Sequence, residues 1–302
     1  MRILGCLFLL LFLPCAQAKV STLLFDSQRV DIEWPSDMSQ KEQADTKKWL
    51  NEVHQALTLV YGELPKDRLL VKLSRSTGSR SPVPWGQIKR TDPNQVILTI
   101  NPALGYDKFI NDWTLFHELS HLLIPYRGWG DLWLSEGLAS YYQNILQGRA
   151  GYFTEQKMWQ KLVAGFGRGA KVKGSVLSLK RAGDNRARGQ IMRTYWSGAL
   201  FWLTVDVDLR RYHESSLDQF LAHLKACCET KHMSANEIIA QLVTFSQSTA
   251  FNTLFLQYRH STRMPDAQPI LDELGVVGAN NSLRLTNDAS LSKLRQNLYQ
   301  GM

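Results

Sequence analysis

Residues 115–123 have the sequence LFHELSHLL, which places two histidines and a glutamate inside an apolar run with helical periodicity. Residues four apart lie on one face of a helix, so the imidazoles of His117 and His121 are able to reach one metal ion at about 2.0–2.1 Å. The alternative is a helix with two hydrogen-bonded structural histidines, but burying these polar groups without a ligand costs free energy. The pattern therefore favours a metal site on this helix.

A catalytic site of this kind also needs a base and a third protein ligand. Glu118 does not need to bind the metal, and its carboxylate is able to take a proton from a metal-bound water. A catalytic zinc has three protein ligands and an open fourth position. After a Pro- and Gly-rich turn at 124–131, a second helix is predicted from residue 132, with Asp131 as its N-cap and Glu136 in its second turn. We predict Glu136 as the third ligand, with Asp131 as the competing candidate.

The composition indicates a globular, exported chain. Of the 302 residues, 44% are hydrophobic and 21% are charged, which is too apolar for a disordered protein. Residues 1–18 combine Arg2, an apolar run over 3–13 and the sequence AQA at 16–18, which is typical of a signal peptide. No later apolar run is long enough to cross a membrane. We therefore expect a periplasmic or secreted protein without a transmembrane span.

The formal net charge of +8 suits anionic envelope surfaces or acidic substrates. Basic and aromatic residues are not interleaved in a nucleic-acid motif, so no nucleic-acid partner is expected. Residues 161–193, here called the basic segment, begin at Lys161, end at Arg193 and hold nine Lys or Arg, six Gly and one acid. This composition predicts a mobile, solvated loop that could contact an anionic envelope surface.

The cysteines outside the signal sequence are Cys227 and Cys228, adjacent on a predicted helix. Neighbouring cysteines on a helix form a disulfide only with strain. Two packed thiols are therefore favoured over a disulfide.

The hydrophobic pattern changes along the chain from strands to helices. Strands are predicted at 21–25, 30–34, 69–73 and 96–100. Between the second and the third of them, a long helix is predicted that has Ser36 or Ser39 as its cap and ends at Gly62. Helical spacing then predicts segments 112–124, 132–146, 154–166, 195–212, 216–227, 234–245 and 251–258. The fold class is therefore α+β. We expect one domain over 19–302, with a small α/β lobe at 19–150 that includes the metal helix and a mainly α-helical lobe at 151–302.

With HELSH at 117–121 followed by WLSEGLASYY at 133–142, the chain resembles the gluzincin metallopeptidases. Within them it resembles most closely the glycyl aminopeptidase family, relatives of aminopeptidase N. YWSGAL at 195–200 is similar to that family's Tyr-x-x-Gly helix, and the stretch from FLQY at 255–258 to PILDELG at 269–275 is similar to its closing segment. The resemblance implies a thermolysin-like zinc metallopeptidase domain with one Zn²⁺ per chain. It implies that His117, His121 and Glu136 bind the zinc, that Glu118 is the general base and that Tyr195 stabilises the transition state.

The expected function is that of an exported zinc-dependent peptidase, which hydrolyses a peptide or protein substrate by a metal-activated water with Glu118 as general base. Alternatives are a zinc-containing envelope binding or scaffolding protein and a hydrolase of a non-peptide amide or ester. Two features depart from the family. Only 14 residues separate His121 from Glu136, and the strand at 95–102, expected to line the cleft, has no carboxylate to hold a substrate's amino terminus. We therefore predict endopeptidase action, with the basic segment favouring acidic peptides.

Overall fold

The computed structural model describes residues 19–25, 28–62, 68–173, 175–229, 231–279 and 282–301. The signal sequence predicted at 1–18 lies outside these ranges. Within them, no helix combines the length and the apolar character that crossing a membrane requires.

Five strands form a mixed sheet: β1 Lys19–Phe25, β2 Gln28–Trp34, β3 Arg68–Arg75, β4 Trp85–Lys89 and β5 Asn94–Ile100. Their order across the sheet is β1-β2-β3-β5-β4. β2, β3 and β5 run parallel, whereas β1 and β4 are antiparallel to their neighbours. The four predicted strands are confirmed as β1, β2, β3 and β5. β4 escapes prediction because its sequence, WGQIK, lacks the alternation of a half-buried strand.

Helix α1, Gln40–Tyr61, forms where the sequence predicts the long helix. Ser39 caps it, because its side chain accepts from the Glu42 backbone while the Glu42 carboxylate accepts from the Ser39 backbone. Gly62 ends it with φ of 97°, a value that glycine adopts without strain. On the buried face, the indole of Trp49 stacks on Phe109 with ring centroids 4.8 Å apart. This contact joins α1 to the segment that precedes the metal helix.

Beyond the sheet the chain is mainly helical, as predicted. The helices are α2 Tyr106–Phe109, α3 Thr114–Ser120, α4 Leu132–Arg149, α5 Glu155–Ala170, α6 Leu179–Asp184, α7 Ile191–Tyr212, α8 Leu217–Cys228, α9 Ala235–Ser246, α10 Ala250–His260, α11 Gln268–Glu273 and α12 Ala289–Gln300. A two-stranded ribbon, β6 Val276–Val277 with β7 Arg284–Leu285, lies between the last two helices. The α+β class is confirmed, and α2, α6, α11 and α12 are additions to the predicted helices.

Helix α4 is the centre of the molecule. Most of its residues are buried, and it packs against α3 on one side and along α7 on the other. The indole nitrogen of Trp202 on α7 donates to the Leu134 carbonyl of α4 at 2.8 Å. Because α3, α4 and α7 carry the predicted site residues, this packing brings them to one place.

The prediction that the basic segment is a mobile loop is wrong. Its first part belongs to α5, its middle forms α6, and its end begins α7. Arg193 is fully buried and donates to the carbonyls of Ser261 and Leu177 at 3.2 and 3.1 Å. Gly165 lies directly against the side chain of Trp196, because a Cβ on this glycine would lie only 2.1 Å from the indole ring. Gly165 and Gly169 therefore permit close packing against Trp196, a role that composition does not distinguish from flexibility.

The prediction of two free thiols is also wrong, because a disulfide joins Cys227 to Cys228. The pair occupies the last two positions of α8.

Candidate active site

The predicted metal helix is shorter than residues 112–124. It comprises α3 and a 3₁₀ turn at His121–Leu123, so the two histidines lie in consecutive, differently wound turns. Their rings still meet edge to face, with centroids 4.9 Å apart. Both are buried, with 3% and 5% of their surface exposed for His117 and His121.

Glu136 reaches back from α4 over both histidines. Its Oε2 lies 3.2 Å from Nε2 of His117 and 3.6 Å from Nε2 of His121. One ligand atom from each of the three residues lies within 4.8 Å of the others. Two imidazole nitrogens and one carboxylate oxygen are the donor set of a catalytic zinc site. The residues present therefore fit the metal that the sequence predicts.

Hydrogen bonds to the far side of each ring hold the two imidazoles in orientation. Nδ1 of His117 lies 2.9 Å from Oε1 of Gln143, and Nδ1 of His121 lies 3.0 Å from the Ser135 hydroxyl. Because an amide oxygen only accepts, the His117 proton resides on Nδ1 in this contact, which leaves Nε2 free to bind a metal. No sequence motif identifies Gln143 and Ser135 as partners of the histidines, although both lie on α4 with Glu136.

Burial and neighbouring charges set the protonation of the ligands. Burial lowers the pKa of His121 to about 3, so this imidazole is neutral. Burial also opposes the charged form of His117, but the hydrogen bonds to Glu136 and Gln143 and the charges of Glu118 and Glu136 together outweigh it and raise the His117 pKa. Burial works to raise the pKa of Glu136, whereas the two histidines lower it to about 2. Glu136 is therefore ionised, as a metal ligand must be.

Glu118 is buried beside the ligands, with its carboxylate turned towards β4. Its Oε2 accepts from the Ile88 backbone N–H at 2.8 Å. Burial raises the pKa of Glu118, and the charge of Glu136 adds to the effect. β4 approaches closely because Gly86 has no side chain: a Cβ there would lie 2.7 Å from Thr114 Cγ2. The arrangement gives a carboxylate with raised proton affinity in direct contact with an edge strand.

Tyr195 lies in the second turn of α7 and reaches the same point. Its ring stacks on His117, with centroids 5.7 Å apart and planes 15° apart. Burial, together with the charge of Glu136 and a hydrogen bond to it, raises the pKa of Tyr195 well above its usual value. The hydroxyl therefore keeps its proton and is a donor beside the candidate metal ligands.

Asp131 lies outside the ligand group. Its carboxylate pairs with Arg259 at 2.8 and 3.1 Å and accepts from the Trp133 indole at 3.2 Å. The predicted capping role is also wrong, since Asp131 has φ of 55° and makes no side-chain cap bond. Instead, Asp184 of α6 accepts from the Leu132 N–H at 3.0 Å. The cap of α4 is therefore Asp184, 52 positions away in sequence, and not the adjacent Asp131 that the sequence predicts.

A cleft of about 550 Å³ opens over the site. The strand that borders it is β4, not the predicted strand at 95–102, because β5 is separated from the cleft by β4. Arg90, Arg127 and Arg186 also line the cleft. Among its described lining residues the carboxylates are Glu118 and Glu136 alone, so β4 contributes no acidic group either.

The predicted resemblance is confirmed by comparison with known proteins. Residues 128–200 match the model of the M61 glycyl aminopeptidase family. No curated protein matches the chain by sequence. Similar solved structures include an aminopeptidase N family protein from Idiomarina loihiensis, at a TM-score of 0.66 and 14% identity, covering 86% of this chain and 49% of that chain.

Two further solved structures agree with this similarity. An M1 zinc metallopeptidase from Deinococcus radiodurans matches at a TM-score of 0.53 and 17% identity, over 82% of this chain and 52% of that one. Leukotriene A4 hydrolase from Saccharomyces cerevisiae matches at a TM-score of 0.52 and 14% identity, over 84% of this chain and 42% of that one. The chain thus spans about half the length of these structures or less. It resembles the M61 glycyl aminopeptidase family over residues 128–200 and has the fold of the aminopeptidase N-related zinc metallopeptidases.

Proposed function

We propose that this chain is a zinc-dependent peptidase with a thermolysin-like catalytic domain, exported with the help of residues 1–18. Its metal helix belongs to a lobe at 19–150, which a helical lobe at 151–302 completes. The observation that carries the proposal is the convergence of His117, His121 and Glu136 within 4.8 Å of one another. Glu118 shares the cleft with them. A purely structural zinc site has four protein ligands and no use for a further carboxylate, whereas a catalytic one needs both an open position and a base.

Bound zinc would polarise the substrate carbonyl and lower the pKa of a water molecule. Glu118 accepts the proton of the attacking water and delivers it to the leaving amine. The raised pKa of this buried carboxyl suits both steps, because it must gain and lose a proton near neutral pH. No residue of the chain forms a covalent bond to the substrate in this scheme.

Tyr195 supplies a hydrogen bond to the carbonyl oxygen as negative charge develops on it. Its raised pKa keeps the hydroxyl protonated, and its stacking on His117 fixes the ring. Such a donor is effective because it is already oriented before the reaction begins.

The cleft favours cleavage within a peptide over removal of its first residue. A substrate's ammonium group needs a carboxylate partner when it is buried. The two carboxylates of the described lining, Glu118 and Glu136, serve as base and ligand in this proposal. Three arginines, Arg90, Arg127 and Arg186, line the same cleft, which favours acidic over basic peptides. We therefore propose endopeptidase action on acidic peptide segments.

Metal analysis combined with digestion of a mixed library of N-acetylated peptides tests the proposal. The wild-type protein should hold about one zinc per chain and cleave blocked peptides internally. Glu118→Gln should keep the zinc and lose at least about a hundredfold in turnover, because the amide cannot accept the proton. A wild-type protein that is fully active without any divalent metal would contradict the proposal, and so would an equally active Glu118→Gln variant.

A further inference from the structure

A second cavity, of about 340 Å³, shares the Tyr195 side chain with the cleft. One wall is a polar stripe on α4: Ser140, Gln143, Asn144 and Gln147. The spacing of three, four and seven residues puts all four on one face of the helix. These side chains are buried, with at most 7% of their surface exposed. A polar stripe on the most central helix of the fold is unexpected in a hydrophobic core, because buried polar groups need partners.

The protein satisfies this stripe only in part. Gln143 uses its Oε1 on His117, and Asn144 uses its Nδ2 on the Ser140 carbonyl of its own helix. Each amide has both a donor and an acceptor end. Among the residues that the structure describes, Nε2 of Gln143 and Oδ1 of Asn144 have no protein partner. The lining of the cavity therefore includes an N–H donor, on the largely buried side chain of Gln143, that a bound group could use.

Two cations of the basic segment stand at the same cavity. Lys161 lies over the Phe153 ring at 5.8 Å, and Arg168 lies over the Trp196 ring at 4.7 Å. Within the described ranges neither is paired with a carboxylate. Desolvation lowers the pKa of both groups, and the charges of Lys157 and Arg168 further lower that of Lys161. An anion placed between them would relieve this repulsion.

We propose that this cavity is a subsite for a carboxylate of the substrate peptide, an inference that rests on the proposed peptidase function. Lys161 and Arg168 supply the charge, and Nε2 of Gln143 donates a hydrogen bond. A carboxylate fits because it is negatively charged and, when ionised, only accepts hydrogen bonds.

The remaining lining suits the rest of an acidic side chain. Trp113, Phe153 and Trp196 border the cavity and provide apolar surface for its methylene groups. Tyr195 belongs to both cavities, so a residue close to the scissile bond in the cleft is able to extend its side chain past the tyrosine. Because Gln143 also holds His117, occupancy of the subsite is coupled to the orientation of a candidate metal ligand.

The test compares peptides that differ in one position. A blocked peptide cleaved by the wild-type protein is resynthesised with Glu or Gln at each position around the scissile bond in turn, with both ends acetylated or amidated. A second series leaves the carboxyl terminus free, which separates a side-chain carboxylate from a chain-end carboxylate. Wild-type cleavage gives kcat/KM for each pair, and tryptophan fluorescence titration of Glu118→Gln gives binding without turnover.

At one position, Glu should be preferred over Gln by about tenfold in kcat/KM and in affinity, which is the scale of a charge-assisted hydrogen bond. Lys161→Gln combined with Arg168→Gln should bring this ratio close to one. Lys171→Gln is the matched control, since it removes an exposed cation of the basic segment that does not line the cavity. Because each ratio is measured within one variant, a partly folded preparation does not distort it.

The two proposals fail in different ways. Equal treatment of Glu and Gln at every position, or a preference that survives the double substitution, would overturn the subsite while leaving the peptidase in place. If the preference appears only in the free-acid series, the bound carboxylate is the chain end. If the wild-type protein cleaves no peptide but the Glu118→Gln protein still binds Glu peptides through Lys161 and Arg168, the carboxylate site stands and the peptidase function fails.

Discussion

Gly198 occupies the space into which a side chain on Gly137 would project: a β-carbon on Gly137 would lie 2.3 Å from the Gly198 Cα. In the reverse direction, a β-carbon on Gly198 would lie 2.2 Å from the Trp133 carbonyl oxygen. Helices α4 and α7 therefore touch backbone to backbone at this point. Glu136 is next to Gly137, and Tyr195 lies one turn before Gly198, so the crossing sets the distance between candidate ligand and oxyanion donor.

Gly198→Ala should force the two helices apart. Because the added methyl group would overlap backbone atoms, which cannot rotate away, we expect a loss of about 1–3 kcal/mol in the free energy of unfolding. Turnover should fall as well, since Tyr195 moves relative to Glu136. Chemical denaturation and steady-state kinetics measure the two effects.

Gly167→Ala is the control for this substitution. It adds the same methyl group to helix α5, where nothing lies within 4 Å of the new β-carbon. Stability should stay constant or rise by about 0.5–1 kcal/mol, as expected for alanine in place of a helical glycine. If Gly198→Ala behaves like Gly167→Ala, the helix crossing is not the constraint described above.

Glu136→Ala should remove the metal. It deletes one of three converging ligand groups, so we expect the zinc content after dialysis to fall far below one per chain. Asp131→Asn should instead keep the zinc, because the Asp131 carboxylate pairs with Arg259, and should cost about 1–3 kcal/mol of stability through the weakened buried pair. The zinc content of both variants is measured by metal analysis. If Asp131→Asn loses the zinc and Glu136→Ala keeps it, Asp131 is the third ligand.

Tyr195→Phe should lower kcat by roughly a hundredfold with little change in KM, the loss typical of one oxyanion donor. The ring remains, so its stacking on His117 and the stability of the protein should be nearly unchanged. Tyr126→Phe is the matched control: Tyr126 also lines the cleft, but its hydroxyl already donates to the Gly130 carbonyl at 2.5 Å. Equal kcat values for the two variants would argue against a catalytic Tyr195.

The pH dependence of stability should contain a contribution from the Glu42–Arg75 pair. Arg75 donates to both oxygens of Glu42, at 2.8 and 3.2 Å. These bonds, with help from Ser39, lower the pKa of Glu42 from 4.5 to about 2. A carboxyl with a lowered pKa in the folded state stabilises the protein above its unfolded pKa and loses that contribution as the pH falls to the folded value.

Arg75→Gln should therefore be less stable than the wild type at pH 5 and above, and the difference in denaturation midpoint should shrink between pH 4.5 and pH 2. Lys41→Gln provides the comparison, because it removes a cation from an exposed pair with Asp45 on the same helix. Exposed pairs contribute little. A midpoint difference for Arg75→Gln that does not change with pH would contradict the role of this pair.

The local features of this protein follow from its amino-acid sequence. The positions of α1, α4, α7 and most other long helices, and of four strands, follow from the periodicity of apolar residues along the chain, although α4 ends three residues later and α7 begins four residues earlier than predicted. The four-residue spacing of His117 and His121 places both on one helix. Glu118 was predicted as a site residue because it directly follows His117. Glu136 was predicted because it lies in the second turn of a helix whose start, at residue 132, the sequence indicates. These features depend on neighbours in sequence, where helix and strand geometry fix which residues share a face.

Contacts between residues far apart in sequence depend on the tertiary structure. It set β4 against the predicted metal helix and packed Gly165 and Gly169 against Trp196. It also gave the capping of α4 to Asp184 and paired the carboxylate of Asp131 with Arg259. It also joined Gln143 to His117 and opened the second cavity beside Tyr195. No periodicity encodes these contacts, because each depends on how whole helices and strands pack, and packing is determined by shape and by the partners available to buried polar groups.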